Sequence, residues 1–275
     1  MGAMTFESDG FLSDLAPMNA TQIVPEFAPF NMLAYKLNRF ALSVVKKPRT
    51  APQTLEEILT IALVGRLVQD FGAAVILANR GFRAQSRNMA RSTLETAFYC
   101  TASCRNTVLT KSNSQGQVSF FDAFLAGHEQ FRRRVSKELA GLSETSSELK
   151  IRLNNVYQEL SNAPLSSGID VKGLAEDLGF LDMYTVLYRP LSQDSHPSAT
   201  SVEHHITTNE MGAVSGFRVG PDYEQYDDTI LAAVAALLLG IGAYIENFGD
   251  AEEQQTHAEI ASEYKSLAEA KVLKA

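Results

Sequence analysis

The sequence predicts an all-α fold, a single-domain helical bundle with long antiparallel helices. Apolar residues recur at helical spacing in several long stretches, and no stretch alternates apolar with polar residues as a half-buried strand does. No repeat period is present. The 275 residues, 45% hydrophobic and 20% charged, form an ordinary globular composition long enough to bury a core.

In chain order, residues 1–27 read as an irregular N-terminal segment, with Pro17 and Pro25 breaking any pattern and Met1-Gly2-Ala3-Met4 reading as an expression scar. The helical domain is expected over residues 28–275. Phe30, Leu33, Leu37, Phe40 and Val44 place a helix at residues 30–47. A Lys/Pro loop follows. Thr54 then caps a long helix with Glu56 and Glu57 in its first turn, where the helix dipole favours acids. That helix runs to about Asn79, and Gly81 marks a break.

Another helix covers roughly residues 82–106, before a Ser/Asn/Gln/Gly loop at 111–117. Helices are expected at about 118–140, 145–161 and 171–188, and a short one at 198–207. Residues 208–222, with Gly212, Gly216, Gly220 and Pro221, read as a loop or small hairpin. An apolar helix at 223–248 and a polar Ala/Glu/Lys helix at 251–273 complete the chain.

The formal net charge of −8 argues against nucleic-acid binding through a broad basic surface, which rests on phosphate neutralisation, but leaves room for a small basic cleft. Cys100 and Cys104, four apart on one helix, read as reduced thiols in a cytoplasmic setting and not as a disulfide or a zinc site. Residues 5–27 carry acids and prolines, unlike a signal peptide. The apolar run Ile230–Ile245 is short of a membrane span and bounded by acids, so a buried central helix is expected and no membrane partner. Phosphate loops, dinucleotide fingerprints and nucleophile elbows are absent from the sequence.

Two blocks carry possible chemistry. Arg80, Arg83, Arg87 and Arg91 are spaced three, four and four apart, and Glu95 continues their helix face. This is either a solvated basic face or an anion-facing stripe in which Glu95 turns Arg91 toward a pocket. The second block is Tyr188-Arg189-Pro190-Leu191-Ser192-Gln193-Asp194-Ser195-His196-Pro197-Ser198. Pro190 disfavours helix at Arg189, and Pro197 does the same at His196, so a tight non-helical turn or a short helical turn with defined ends is expected. His196 is a candidate general acid or base, and Arg189 a candidate to stabilise a phosphate. Equally, Arg189, Ser192 and His196 could form a capping and packing network between helices.

Other features read more simply. His204-His205 is an exposed pair without further ligands, and His128 with Arg132-Arg133-Arg134 is a charged surface. Gly240-x-Gly242 allows close helix packing.

The motifs Arg91-x-x-Leu94-Glu95 and Tyr188-Arg189-x-Leu191-Ser192-x-x-x-His196-Pro197 resemble those of a widespread bacterial all-helical family of unknown function, over roughly residues 55–248. The arginine and histidine separated by six residues also resemble the motif of the HEPN superfamily, many of whose members are metal-independent ribonucleases of toxin–antitoxin, phage-defence and RNA-processing systems. Here Pro190 stands where that superfamily commonly has Asn, Asp or His. The resemblance implies a metal-independent endoribonuclease with no cofactor. It makes Arg189 and His196 catalytic, brought together with a second motif across a homodimer. Arg87, Arg91, Glu95, Tyr188, Ser192 and Ser198 would bind or orient the RNA. The alternative is a non-catalytic helical module that binds a protein partner or small ligand.

Overall fold

Helix formation follows the apolar periodicity and the capping residues closely. The structure, a computed structural model, describes residues 20–47, 52, 54–111, 117–142, 146–159, 168–195 and 202–273. These are predominantly helical, with two short antiparallel strand pairs. The chain packs as two compact units, one of residues up to Thr101 together with those from Asp182 onward, the other Ala102–Leu181.

The first unit opens with a helical turn, α1 (Ala20–Ile23), and a 3-10 turn at Pro25–Phe27. These fall inside the segment expected to be irregular, and Ala20 is buried. Helix α2 (Ala28–Lys46) buries Leu33, Leu37, Ala41 and Val44 on one face. Helix α3 (Leu55–Asn79) begins with the predicted cap. Thr54 accepts from the Glu57 N–H while Glu57 accepts from the Thr54 N–H, which satisfies two of the orphan donors of a helix start. Gly81, at φ +76°, makes the turn into α4 (Arg83–Cys104).

Near the other end of the chain, α10 (Tyr226–Phe248) is apolar all round and forms the core of this unit, with Ile230, Val234, Leu237, Ile241 and Ile245 buried. It packs against α2, α3 and α11 (Ala251–Val272). A Cβ on Gly240 would lie 2.4 Å from Leu67 Cδ2 and 3.3 Å from Ala97 Cα, so the glycine permits the close approach of α3 and α4. A polar contact sets the start of α10, where the Tyr226 hydroxyl donates to Asn79 Oδ1 at 2.8 Å. By length and composition both α3 and α10 could cross a membrane, but 78% of the apolar window of α10 is already buried within the protein, against 44% for α3.

The second unit contains a two-residue ladder, β1 (Val108–Leu109) with β2 (Val118–Ser119), followed by α5 (Phe120–Gly141), α6 (Ser147–Glu159) and α7 (Val171–Asp177). Leu109, Phe120 and Leu174 are buried in it. Asp177 accepts from the Thr110 and Lys111 N–H groups, each at 3.0 Å, and ties the ladder to α7.

Three expectations change. The helix at 171–188 is broken, because Leu178 ends α7 and Gly179 turns at φ +77°. A short helix, α8 (Leu181–Met183), then leads into a π-helical turn at Tyr184–Tyr188. The short helix expected at 198–207 overlaps a strand, β3 (Ile206–Thr208), which pairs with β4 (Val214–Phe217) in a hairpin. Residues 196–201 lie outside the described residues. Finally, while the β3–β4 hairpin matches the small hairpin offered for 208–222, the β1–β2 pair was not expected; a ladder of two residues is too short to show a period.

Candidate functional site

The segment after α8 is built around Pro190. An α-helix running through a proline meets its ring with the carbonyl four residues back and lacks the proline N–H. Here the turn before it widens, and the Arg189 N–H donates to Tyr184 O, five residues back. A π-turn of this kind accommodates the ring without ending the helix. Arg189 is consequently helical, φ −61° and ψ −48°, contrary to the expectation that Pro190 would keep it out of the helical region. It opens α9 (Arg189–Ser192), which passes into a 3-10 turn at Gln193–Ser195. The Ser192 hydroxyl donates back to Tyr188 O at 2.8 Å.

Tyr188 is the pivot. Its ring stacks on Tyr184 with centroids 5.0 Å apart and lies 5.1 Å from the Arg91 guanidinium carbon. Its hydroxyl accepts from an Arg91 terminal nitrogen at 3.0 Å and donates to Glu95 Oε2 at 3.1 Å. Arg91 and Glu95 also approach directly at 3.6 Å, and each side chain is 30% exposed. The two motifs are therefore joined by one phenol. Burial, helped by the Glu95 charge, pushes the Tyr188 hydroxyl up to about 12, against the opposing pull of Arg91. It stays protonated and donates to the carboxylate.

Arg87 does something different. Its Nε is paired with the Asp194 carboxylate, and a terminal nitrogen donates to Pro190 O at 3.2 Å. Asn88 donates to Asp194 O at 3.1 Å. The Arg87 and Asp194 side chains are only 10% and 4% exposed, so this is a buried ion pair that clamps α9 onto α4. The other Asp194 oxygen lies 4.0 Å from His204 Nε2. Arg83, one turn earlier, is also buried and pairs with Asp222 at 3.3 Å and Glu224 at 2.8 Å.

The expected four-arginine face is reduced to three: Arg80 caps the end of α3 ahead of the Gly81 turn, and Arg83, Arg87 and Arg91 continue along α4 in a graded environment. Arg80 is exposed, Arg83 and Arg87 are buried in ion pairs, and Arg91 with Glu95 is half-buried at the motif end. The Arg189 side chain is exposed, with no hydrogen bond or ion pair among the described residues. Arg87, Leu187, Pro190, Gln225 and Asp228 line a cavity of about 290 Å³ whose lining does not include Arg189.

Of the residues singled out from sequence, Arg91, Glu95, Tyr188 and Ser192 come together, and Arg87 joins the same helix pair through Asp194. His196 and Ser198 lie outside the described residues. Asp194 and Asp222 are the partners that sequence reasoning missed. The one available signal for Asp194 was an acid inside the Tyr188–His196 segment itself.

Elsewhere, Cys100 and Cys104 are buried thiols. His205 Nδ1 lies 3.2 Å from Arg218 O, and no group of three potential metal-ligating side chains occurs among the described residues.

A family model described as a family of unknown function (DUF5677) matches residues 57–213, more than half of the chain, and takes in both motifs. Neither the curated proteins nor the solved structures contain a match.

Proposed function

The chain belongs to this family of unknown function, DUF5677, and from that premise we propose that it is a metal-independent endoribonuclease of HEPN-like type. The observation that carries the reading is the separation of roles around Pro190. Arg87, Asp194, Arg91, Tyr188 and Glu95 hold α4 against the π-turn and α9. Arg189 takes no part in that network and projects an exposed guanidinium from a widened turn, a geometry that recurs at functional sites. An exposed guanidinium with no partner among the described residues is available to hold a phosphate bidentately.

In the proposed reaction His196 takes the proton of an RNA 2′-hydroxyl. The 2′-oxygen attacks phosphorus, the bond to the 5′-oxygen breaks, and that oxygen is protonated, leaving a 2′,3′-cyclic phosphate. Arg189 stabilises the charge that develops on the non-bridging oxygens. The resemblance extends the proposal to a cytoplasmic homodimer with RNA as partner, in a toxin or phage-defence setting.

Purified protein incubated with mixed RNAs should cleave them equally with and without chelator. His196→Ala should lower the rate about a hundredfold or more. Cleavage that needs added metal, or that survives this substitution, contradicts the proposal.

One observation favours a second reading, a non-catalytic binding module. The Arg87–Asp194 pair and the Tyr188 bridge are sufficient to explain the charged residues other than Arg189 as helix packing. That reading expects no cleavage by any form of the protein.

A further inference from the structure

In the second unit, Arg132, Arg133, Arg134 and Lys137 place four cations within six positions of α5, in a chain whose formal net charge is −8. None of the four has an ion pair among the described residues. Arg133, Arg134 and Lys137, at spacings of one and four, share one side of the helix. We infer that this side of the α5–α6 pair binds the phosphate backbone of single-stranded RNA. The inference rests on the reading above for its choice of RNA as the polyanion.

Exposed cations elsewhere in the chain find carboxylates, as Lys36 does with Glu263 at 2.6 Å and Arg152 with Glu148 at 2.7 Å. Acids stand within reach of this cluster too. Glu129 and Glu138 lie four positions from Arg133 and Arg134, the spacing at which helix side chains meet, yet neither pairs with them. Arg133 and Lys137 share that spacing and repel each other. Folding therefore leaves a local surplus of positive charge that an approaching phosphate chain would neutralise.

Two aromatic rings give the surplus a geometry. The Arg133 guanidinium carbon lies 5.2 Å from the centroid of Tyr157 on α6, and that of Arg134 lies 5.8 Å from Phe131. A guanidinium on a ring face is held flat and keeps its N–H edge for phosphate oxygens. The hydrogen bond from Arg133, with the charges of Arg133 and Lys137, also holds the Tyr157 phenol below its usual range, as a positive surface does. Phe131 is 55% exposed, a large ring left in water beside the cations, where an unstacked base can lie. Arginines interleaved with rings suit a single strand, whose bases are free, better than a lipid surface, which offers charge without bases. The pair adds little to the core of its unit. No residue of α6 is buried, and past Ala123 α5 buries only Ser136.

The test is fluorescence anisotropy of the full-length protein with a short labelled 2′-O-methyl RNA of mixed sequence. Its blocked 2′-oxygens cannot attack phosphorus, so binding is read apart from cleavage. Saturable binding is expected, with log affinity falling against log salt at a slope of about −2, the value for three cations on a single strand. Arg133→Gln, Arg134→Gln and Lys137→Gln combined should weaken binding about tenfold or more and flatten the slope, with the melting temperature unchanged. Phe131→Ala should weaken it about fivefold or more and leave the slope in place. Phosphatidylserine vesicles should not retain the wild type. No saturable RNA binding by wild type, wild-type affinity or slope in the triple variant, or vesicle binding that the triple substitution abolishes, overturns the inference. A triple variant that binds RNA as wild type does, while His196→Ala stops cleavage, removes this surface and spares the ribonuclease. Loss of RNA binding in the triple variant of a protein that never cleaves RNA keeps the surface and removes the ribonuclease.

Discussion

Replacing Arg87 by Ala removes the cation from an Asp194 carboxylate that is 4% exposed. Among the described residues the carboxylate keeps one distant neighbour, His204 at 4.0 Å, and the carbonyl of Pro190 loses the bond it accepts at 3.2 Å. Removing one member of a buried ion pair typically costs about 3–5 kcal/mol, because the remaining charge is left unpaired and dehydrated. For a protein of this size each kcal/mol lowers the melting temperature by about 2–4 °C, so Arg87→Ala should melt about 6–20 °C below wild type. Arg189→Ala, which removes an exposed side chain with no partner among the described residues, should stay within about 0.5 kcal/mol of wild type. The pair Arg87→Met with Asp194→Leu should recover most of the loss, since apolar replacement of both charges removes the dehydration cost. Differential scanning calorimetry on the four proteins reads all three values. Arg87→Ala melting within 2 °C of wild type, or Arg189→Ala losing as much as Arg87→Ala, would refute the division of roles between the two arginines.

Two further outcomes follow from the packing and the phenols. Tyr188 ionises near 10 when unfolded and near 12 when folded, so the unfolded chain releases its proton first. Stability is level in Tyr188 below pH 10 and falls as pH rises from 10 towards 12. Tyr226, also raised by burial, adds to that decline. Tyr188→Phe should therefore lower stability at neutral pH by about 1 kcal/mol, for the lost bonds to Arg91 and Glu95, yet flatten the alkaline decline. An unchanged pH profile in urea titrations would count against the Tyr188 bridge. Gly240→Ala gains about 1 kcal/mol of helix propensity. It also drives a methyl to 2.4 Å from the fully buried Leu67, and overpacking costs about 1–3 kcal/mol. A net loss is expected, and a rise in melting temperature would mean that α3 and α10 pack less closely than described.

Much of the fold was legible because helices announce themselves locally. Thr54 and Glu57 form the predicted cap, and the run from Ile230 to Ile245 is the buried helix that its all-round apolar face implied. The breaks at Gly179 and the π-turn before Pro190 were not legible. Apolar periodicity continues across both, and whether a helix ends or widens at a proline depends on what packs around it. The site was readable in part for a similar reason. Arg91 and Glu95 are neighbours on one helix, so their pairing follows from spacing. Spacing also put Arg87 and Arg83 on that face. Their fates, though, were set by Asp194 and Asp222, which lie 107 and 139 positions away in the chain. No local pattern could show that Arg83 and Arg87 are buried in ion pairs while Arg189, where Pro190 disfavours helix, is helical and exposed.

The central claim is that Arg189 acts on a phosphate and takes no part in holding the fold together. RNA cleavage by Arg189→Ala, measured on the same preparation as its melting temperature, tests it most directly. The account predicts a wild-type melting temperature with cleavage reduced at least a hundredfold. Wild-type cleavage by the folded variant, or a loss of cleavage that only tracks a loss of stability, would contradict it.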